Sequence, residues 1–149
     1  MRGQRDRIHR RYSADVPKIR IRDAASFLSV SDDTVRRWIE TGALPAETDE
    51  HHRKVVDGYT LAKFAKAQAT PMPDPSQVER SARNRFVGLV TNIVTDKVMA
   101  QVELQCGPFR VVSLMTSEAV AELGLELGSV AVAVVKSTTV IVETPRGAS

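Results

Sequence analysis

The run Thr70-Pro71-Met72-Pro73-Asp74-Pro75-Ser76 constrains the fold more than any other stretch of the chain. Three prolines in alternate positions fix φ and remove N–H donors, so neither a helix nor a central strand continues through them. What remains is an extended, semi-rigid spacer. Hydrophobic spacing changes across it: before the prolines apolar residues recur at three and four, and beyond them come apolar, β-branched runs of strand length. A chain of 149 residues therefore reads as two small domains of an α+β protein, each with a core thin enough to favour oligomerisation. The expected division is a basic flexible arm over 1–16, a first domain over 17–69, the linker over 70–78, a second domain over 79–144 and a short tail over 145–149.

Charge follows the same division. Residues 1–70 hold 14 Lys/Arg against 10 Asp/Glu, and residues 71–149 hold 7 against 8. The first 22 residues alone carry eight basic and two acidic groups. A basic arm beside a compact domain is the electrostatic footprint of nucleic-acid binding. No apolar run reaches the roughly 20 residues of a membrane span, and the Arg-rich start lacks the apolar segment of a signal peptide, so a cytoplasmic protein with no membrane partner is expected. Cys106 is the single cysteine, which excludes an internal disulfide and a cysteine-based metal cluster. His51 and His52 are adjacent and point apart in a strand, so no metal site is expected there.

In the first domain the spacing of Ile21, Ala24, Ala25, Phe27 and Leu28 predicts a short helix over 21–28, broken by Ser29-Val30-Ser31. Ser31 or Asp32 can cap a second helix from about Asp33 to Thr41, with Val35, Trp38 and Ile39 on its inner face and Thr34, Arg36 and Arg37 on the remaining surface. Gly42 ends it and Leu44-Pro45 prevents its continuation. Residues 51–56 suit a short β-ribbon, and Asp57 can cap a third helix through Ala69, with Leu61, Phe64 and Ala65 inward. Two short helices joined by a tight turn, the second carrying adjacent arginines outward, form a helix-turn-helix with a recognition helix that fits a major groove.

The runs Ile21-Arg22-Asp23-Ala24-Ala25, Val30-Ser31, Thr34-Val35-Arg36-Arg37-Trp38, Gly42-Ala43-Leu44-Pro45-Ala46 and His52-Arg53-Lys54 resemble the winged helix-turn-helix of the MerR and excisionase superfamily, over about residues 18–68. The resemblance implies Thr34, Arg36 and Arg37 as recognition-helix residues on double-stranded DNA and Arg53 and Lys54 as wing residues. Two positions depart from the pattern: Ser29 and His51 stand where that family often has glycine. The long dimerisation helix of full MerR regulators is absent.

Beyond the linker, strands are expected over 86–94, 99–105, 109–115, 129–135 and 139–143, with a helix over 118–123 capped by Thr116 or Ser117 and ended by Gly124. Five strands and one helix give a small, partly open β-barrel of the OB type. Within this half Ser81-Ala82-Arg83-Asn84, Gly88, Thr116-Ser117, Leu123-Gly124-Leu125, Gly128 and Lys136-Ser137 resemble the Mop, or TOBE, domain of molbindins and ModE-type regulators. The resemblance implies molybdate or tungstate as ligand, no organic cofactor, and an oxyanion site of Ser81, Arg83, Thr116, Ser117, Lys136 and Ser137 shared between subunits of a homo-oligomer. Asn84 is expected to order the turn. A tetrahedral dianion suits such a set, because convergent N–H and O–H donors with one or two cations hold it without touching the metal.

No Ser-His-Asp, paired-carboxylate or phosphate-cradling glycine pattern occurs, so an enzyme is not expected. The chain reads as a transcriptional regulator that binds DNA and senses molybdate or tungstate, with ligand binding coupled to oligomer geometry. Two alternatives stay open: a molybdate storage or buffering protein, and an architectural, excisionase-like DNA binder whose TOBE domain serves oligomerisation alone.

Overall fold

The computed structural model describes residues 16–76 and 84–145. The chain divides into two compact units, Met1–Thr70 and Pro71–Ser149.

In the first unit β1 (Lys18–Arg20) leads directly into α1 (Ile21–Leu28), and α2 (Asp32–Glu40) follows a tight turn. Then come β2 (Glu47–Thr48), β3 (Lys54–Asp57) and α3 (Gly58–Gln68). α1 has the expected bounds and ends on Ser29, which takes the left-handed conformation (φ 55°) while the Val30 N–H donates to the Ala25 carbonyl. A serine thus performs what glycine usually does at this corner. Of the two possible caps for α2, Ser31 is the one used: its hydroxyl accepts the Thr34 N–H at 3.2 Å. Gly42 follows the helix end with φ 78°, and the Leu44 N–H donates to the Trp38 carbonyl. This turns Leu44 into the core, where it is fully buried with Val35 and Val56. Ile21, Ala24, Ala25 and Leu61 complete that core, and Trp38 and Phe64 pack on its margin edge to face at 5.0 Å.

The ribbon differs from expectation. Its strands are β2 and β3, paired antiparallel, and β1 joins the other side of β3 to make a three-stranded sheet. His51, His52 and Arg53 form the connecting turn instead of a strand, because Asp49 gathers it: its carboxylate accepts the N–H groups of His51 and Arg53 and the Arg53 guanidinium. The positive φ of the turn falls on His52 (59°), one residue beyond His51. Asp57 caps α3 as expected, accepting the Thr60 N–H at 3.0 Å.

The second unit is built on β4 (Asn84–Thr95), β5 (Met99–Cys106), β6 (Phe109–Thr116) and β7 (Val130–Val135), all antiparallel, in the order β6-β5-β4-β7. α4 (Ser117–Glu122) follows β6, capped by the Thr116 hydroxyl. Both edge strands line one groove, so the sheet curls in the manner of an OB fold. Val90, Val102, Leu104 and Cys106 form its core. Cys106 is more enclosed than a turn residue would be, and burial pushes its thiol pKa up. β4 carries a bulge between Val90 and Asn92. At Gly88 a side chain has no room, since a Cβ would stand 2.6 Å from both the Gln105 carbonyl oxygen and Cys106 Sγ.

The expected fifth strand over 139–143 is not formed. Ser137–Thr139 make one 3-10 turn, and residues 140–145 pair with no strand among the described residues. A β-pattern becomes a strand only against a partner edge, and this segment meets none within the described chain.

Candidate functional site

Asn84 is the last residue of the Ser-Ala-Arg-Asn tetrapeptide and the first of β4. It lies opposite Val135, the last residue of β7, and its side-chain amide donates to the Val135 carbonyl at 3.2 Å. Asn84 therefore fastens two strands at one end of the sheet instead of shaping a turn. Lys136 and Ser137 follow Val135 directly. Lys136 is exposed and forms no ion pair among the described residues. Its carbonyl accepts both the N–H (3.0 Å) and the hydroxyl (2.8 Å) of Thr139. Thr139 is thus spent on the turn, whereas the Ser137 hydroxyl has no partner among the described residues. Ser81 and Arg83 lie outside the described residues.

Thr116 and Ser117 stand at the other end of the sheet. Thr116 is registered opposite Met99, close to where β4 finishes at Thr95. β4 has twelve residues, and at roughly 3.3 Å per residue that is about 36 Å of strand. Within one copy the register thus sets Thr116-Ser117 and Lys136-Ser137 at opposite ends of β4. Both hydroxyls also hold local structure: Thr116 accepts the Ala119 N–H, and Ser117 bonds the Asp96 carbonyl at 2.8 Å and the Thr95 hydroxyl at 2.9 Å.

Arg85 was not among the expected residues. Its guanidinium reaches back along the chain to the Asp74 carboxylate (2.6 Å) and the Ser76 hydroxyl (2.6 Å), with Nη1 buried and unpaired among the described residues. The hydrogen bond from Arg85, helped by those from Ser76, holds the Asp74 carboxyl well below the usual carboxylate range. The second half of the proline run is thus tied to the second unit and is not a free spacer. The sequence signal was slight: one Asp between prolines and one Arg in a strand.

In the first unit Arg36 and Arg37 are exposed on α2 and form no ion pair among the described residues. Thr34 is half-buried and exchanges a 3.0 Å hydrogen bond with Ser31, so it belongs to the helix cap as much as to the outer face. Arg53 is held by Asp49 at 3.0 Å, while Lys54 is exposed on β3. Arg20 and Arg22 add exposed cations around the start of α1. Among the described residues no group of His, Cys, Asp and Glu could hold a metal ion.

Residues 80–142 match the family model described as the TOBE domain. The match is confined to the second unit, whose curled antiparallel sheet is of the small OB-like kind. Over 68 residues the chain is 38% identical to the molybdenum transport protein ModE of Herbaspirillum seropedicae, a match that takes in 45% of this chain. The chain spans a quarter of the length of that curated relative. Among solved structures, MopII from Clostridium pasteurianum is 36% identical, with 44% of this chain and all of that one covered, at a TM-score of 0.42. ModG, a cytoplasmic molybdate-binding protein solved with molybdate bound, is 44% identical over 50% of this chain and 53% of its own, at a TM-score of 0.45.

Proposed function

We propose that the chain is a DNA-binding regulator that senses molybdate or tungstate through its second unit and couples the ligand to the geometry of a homo-oligomer. It is a binding protein and not an enzyme, in line with relatives named for molybdenum transport and molybdate binding. Molybdate is the ligand that the TOBE match and the ModE relative support. The observation that carries the site is the Asn84–Val135 register, because it joins the strand that starts at the Ser81–Asn84 tetrapeptide to the strand that ends at Lys136-Ser137. Arg83 and Lys136 supply the cations for a dianion, and Ser81 and Ser137 supply hydroxyl donors. Thr116 and Ser117 join such a site only from a second copy.

The DNA-binding part rests on the first unit. Two helices meeting at a Ser29 corner, with Arg36 and Arg37 exposed on the second, make a winged helix-turn-helix whose α2 enters the major groove. Lys54 reaches phosphates from the ribbon, and Arg53, paired with Asp49, shapes the turn that presents it. The exposed arginine pair favours regulation over storage, since a buffer for oxyanions has no use for it. A mobility shift on the protein's own promoter region, with molybdate, tungstate or sulfate added, tests both halves. A sequence-specific complex whose affinity responds to molybdate or tungstate but not to sulfate is expected. Tight oxyanion binding without any specific complex would leave storage as the function.

A further inference from the structure

We propose that the Asp74–Arg85 pair sets the working length of the tether between the two units, and thereby the affinity with which two copies engage paired operator half-sites. The inference rests on the DNA-binding reading above. The pair is built from both sides. Arg85 is the second residue of β4 and lies opposite Val134 of β7, so the sheet fixes its backbone. Its Nε donates to the Asp74 carboxylate and its Nη2 to the Ser76 hydroxyl, both at 2.6 Å. The other carboxylate oxygen accepts the Ser76 N–H at 2.8 Å. Asp74 sits between Pro73 and Pro75, and a residue before proline is kept out of the helical region, so its backbone has little freedom to lose when the carboxylate is engaged. The Arg85 side chain is only 19% exposed. Released from Asp74, its guanidinium would stay largely enclosed without a counter-charge, which opposes opening.

The consequence lies in chain length. Between Gln68, the end of α3, and Asn84, the start of β4, the sequence has fifteen residues, 69–83. By anchoring Asp74 on β4 the pair leaves five of them, 69–73, outside the closure, and two of those five are prolines. A short proline-rich tether is extended and semi-rigid, whereas a longer mixed one behaves more as a coil. When two units of one homo-oligomer bind one operator, the second binding event is intramolecular, and its effective concentration falls roughly as the −3/2 power of tether length. Tripling the free tether thus weakens paired-site binding about five-fold. The contact of each unit with its own half-site is untouched, so Asp74 and Arg85 are positioning residues that act through the tether alone.

Anisotropy titrations of the full chain on DNA carrying two operator half-sites, and on DNA carrying one, separate the tether from the contacts. Asp74→Ala and Arg85→Gln are each expected to weaken the two-site complex about five-fold and to leave the single-site complex unchanged. Combined, they should do no more than either alone, since both break one contact. Equal losses on both DNAs, no loss on either, or effects that add would overturn the proposal. Asp74→Ala lies outside the strands and decides alone if Arg85→Gln loses its fold. A native chain that forms no sequence-specific complex removes the DNA-binding reading instead, and the tether is then decided without DNA or oxyanion. Nitroxides on Glu40→Cys of α2 and on Lys97→Cys between β4 and β5, both exposed positions, with buried Cys106 left in place, are measured by double electron–electron resonance in labelled chains diluted into native ones. Asp74→Ala is expected to broaden the distribution of distances with its circular dichroism kept. A width that Asp74→Ala leaves unchanged overturns the proposal, whatever the DNA titrations give.

Discussion

At the scale of single residues the two candidate sites differ in how much of each side chain is free to act. Arg36 and Arg37 have no ion-pair partner among the described residues, whereas Arg53 is neutralised by Asp49. Arg37→Ala is therefore expected to cost more operator affinity than Arg53→Ala: about 1–3 kcal/mol if it bonds a guanine edge, or about one unit of the salt slope if it holds a phosphate. Fluorescence anisotropy across a salt series distinguishes these, and equal effects from Arg37→Ala and Arg53→Ala would remove α2 as the reader. Lys136→Ala should weaken oxyanion binding and leave ligand-free DNA affinity unchanged, as calorimetry and anisotropy on the same variant will show. Gly88 is a structural matter. An added methyl group meets the Gln105 backbone, so Gly88→Ala should destabilise the second unit by about 1–3 kcal/mol through overpacking, read as a lowered urea midpoint.

At the scale of elements, what could be read in advance is what local chemistry decides. The bounds of α1, the Ser31 cap and the Asp57 cap follow from orphan N–H groups and short oxygen-bearing side chains a few residues away. Ser31→Ala should accordingly cost about 1 kcal/mol. The elements that escaped depend on distant partners. β1 is three residues long and shows no period, and it exists because β3 runs beside it. The pattern at 139–143 reads as a strand but pairs with none among the described residues. The Arg85–Asp74 pair joins positions eleven residues apart through curvature that no motif announces. Asp49, which holds the β2–β3 turn, and Asp57, which caps α3, also carry a pH dependence. The backbone N–H of Arg53 on Asp49, and that of Thr60 on Asp57, hold both carboxyls below their ordinary value of 3.8. A depressed folded-state pKa gives stability that is complete above the unfolded value and lost as pH falls through the folded one. The first unit should thus keep its urea midpoint from pH 7 to 5 and lose it progressively below about pH 4. Asp57→Asn, which retains a capping oxygen, should flatten that loss, and an unchanged acid profile would exclude Asp57 as a source.

At the scale of the whole molecule the proposed function turns on the coupling between an oxyanion assigned to the second unit and operator DNA assigned to the first. An oxyanion at one hundred times its dissociation constant stabilises the state that binds it by about 2.7 kcal/mol. For a unit of this size that is a rise of roughly 10–20 °C in its melting temperature. Molybdate should therefore raise the transition of the second unit, and operator DNA that of the first, in calorimetry of the full chain. Regulation asks for more than two stabilised units. If molybdate changes operator affinity by some factor, operator DNA must change molybdate affinity by the same factor, because both measure one coupling free energy, typically about 1–3 kcal/mol. Anisotropy titrations with and without molybdate give the first factor, and calorimetric molybdate titrations with and without operator give the second. Equal factors of about 5 to 150 are expected. Two tight bindings with a factor of one would describe a chain that holds both partners without making either answer to the other, and the sensing role would fall while both sites stood.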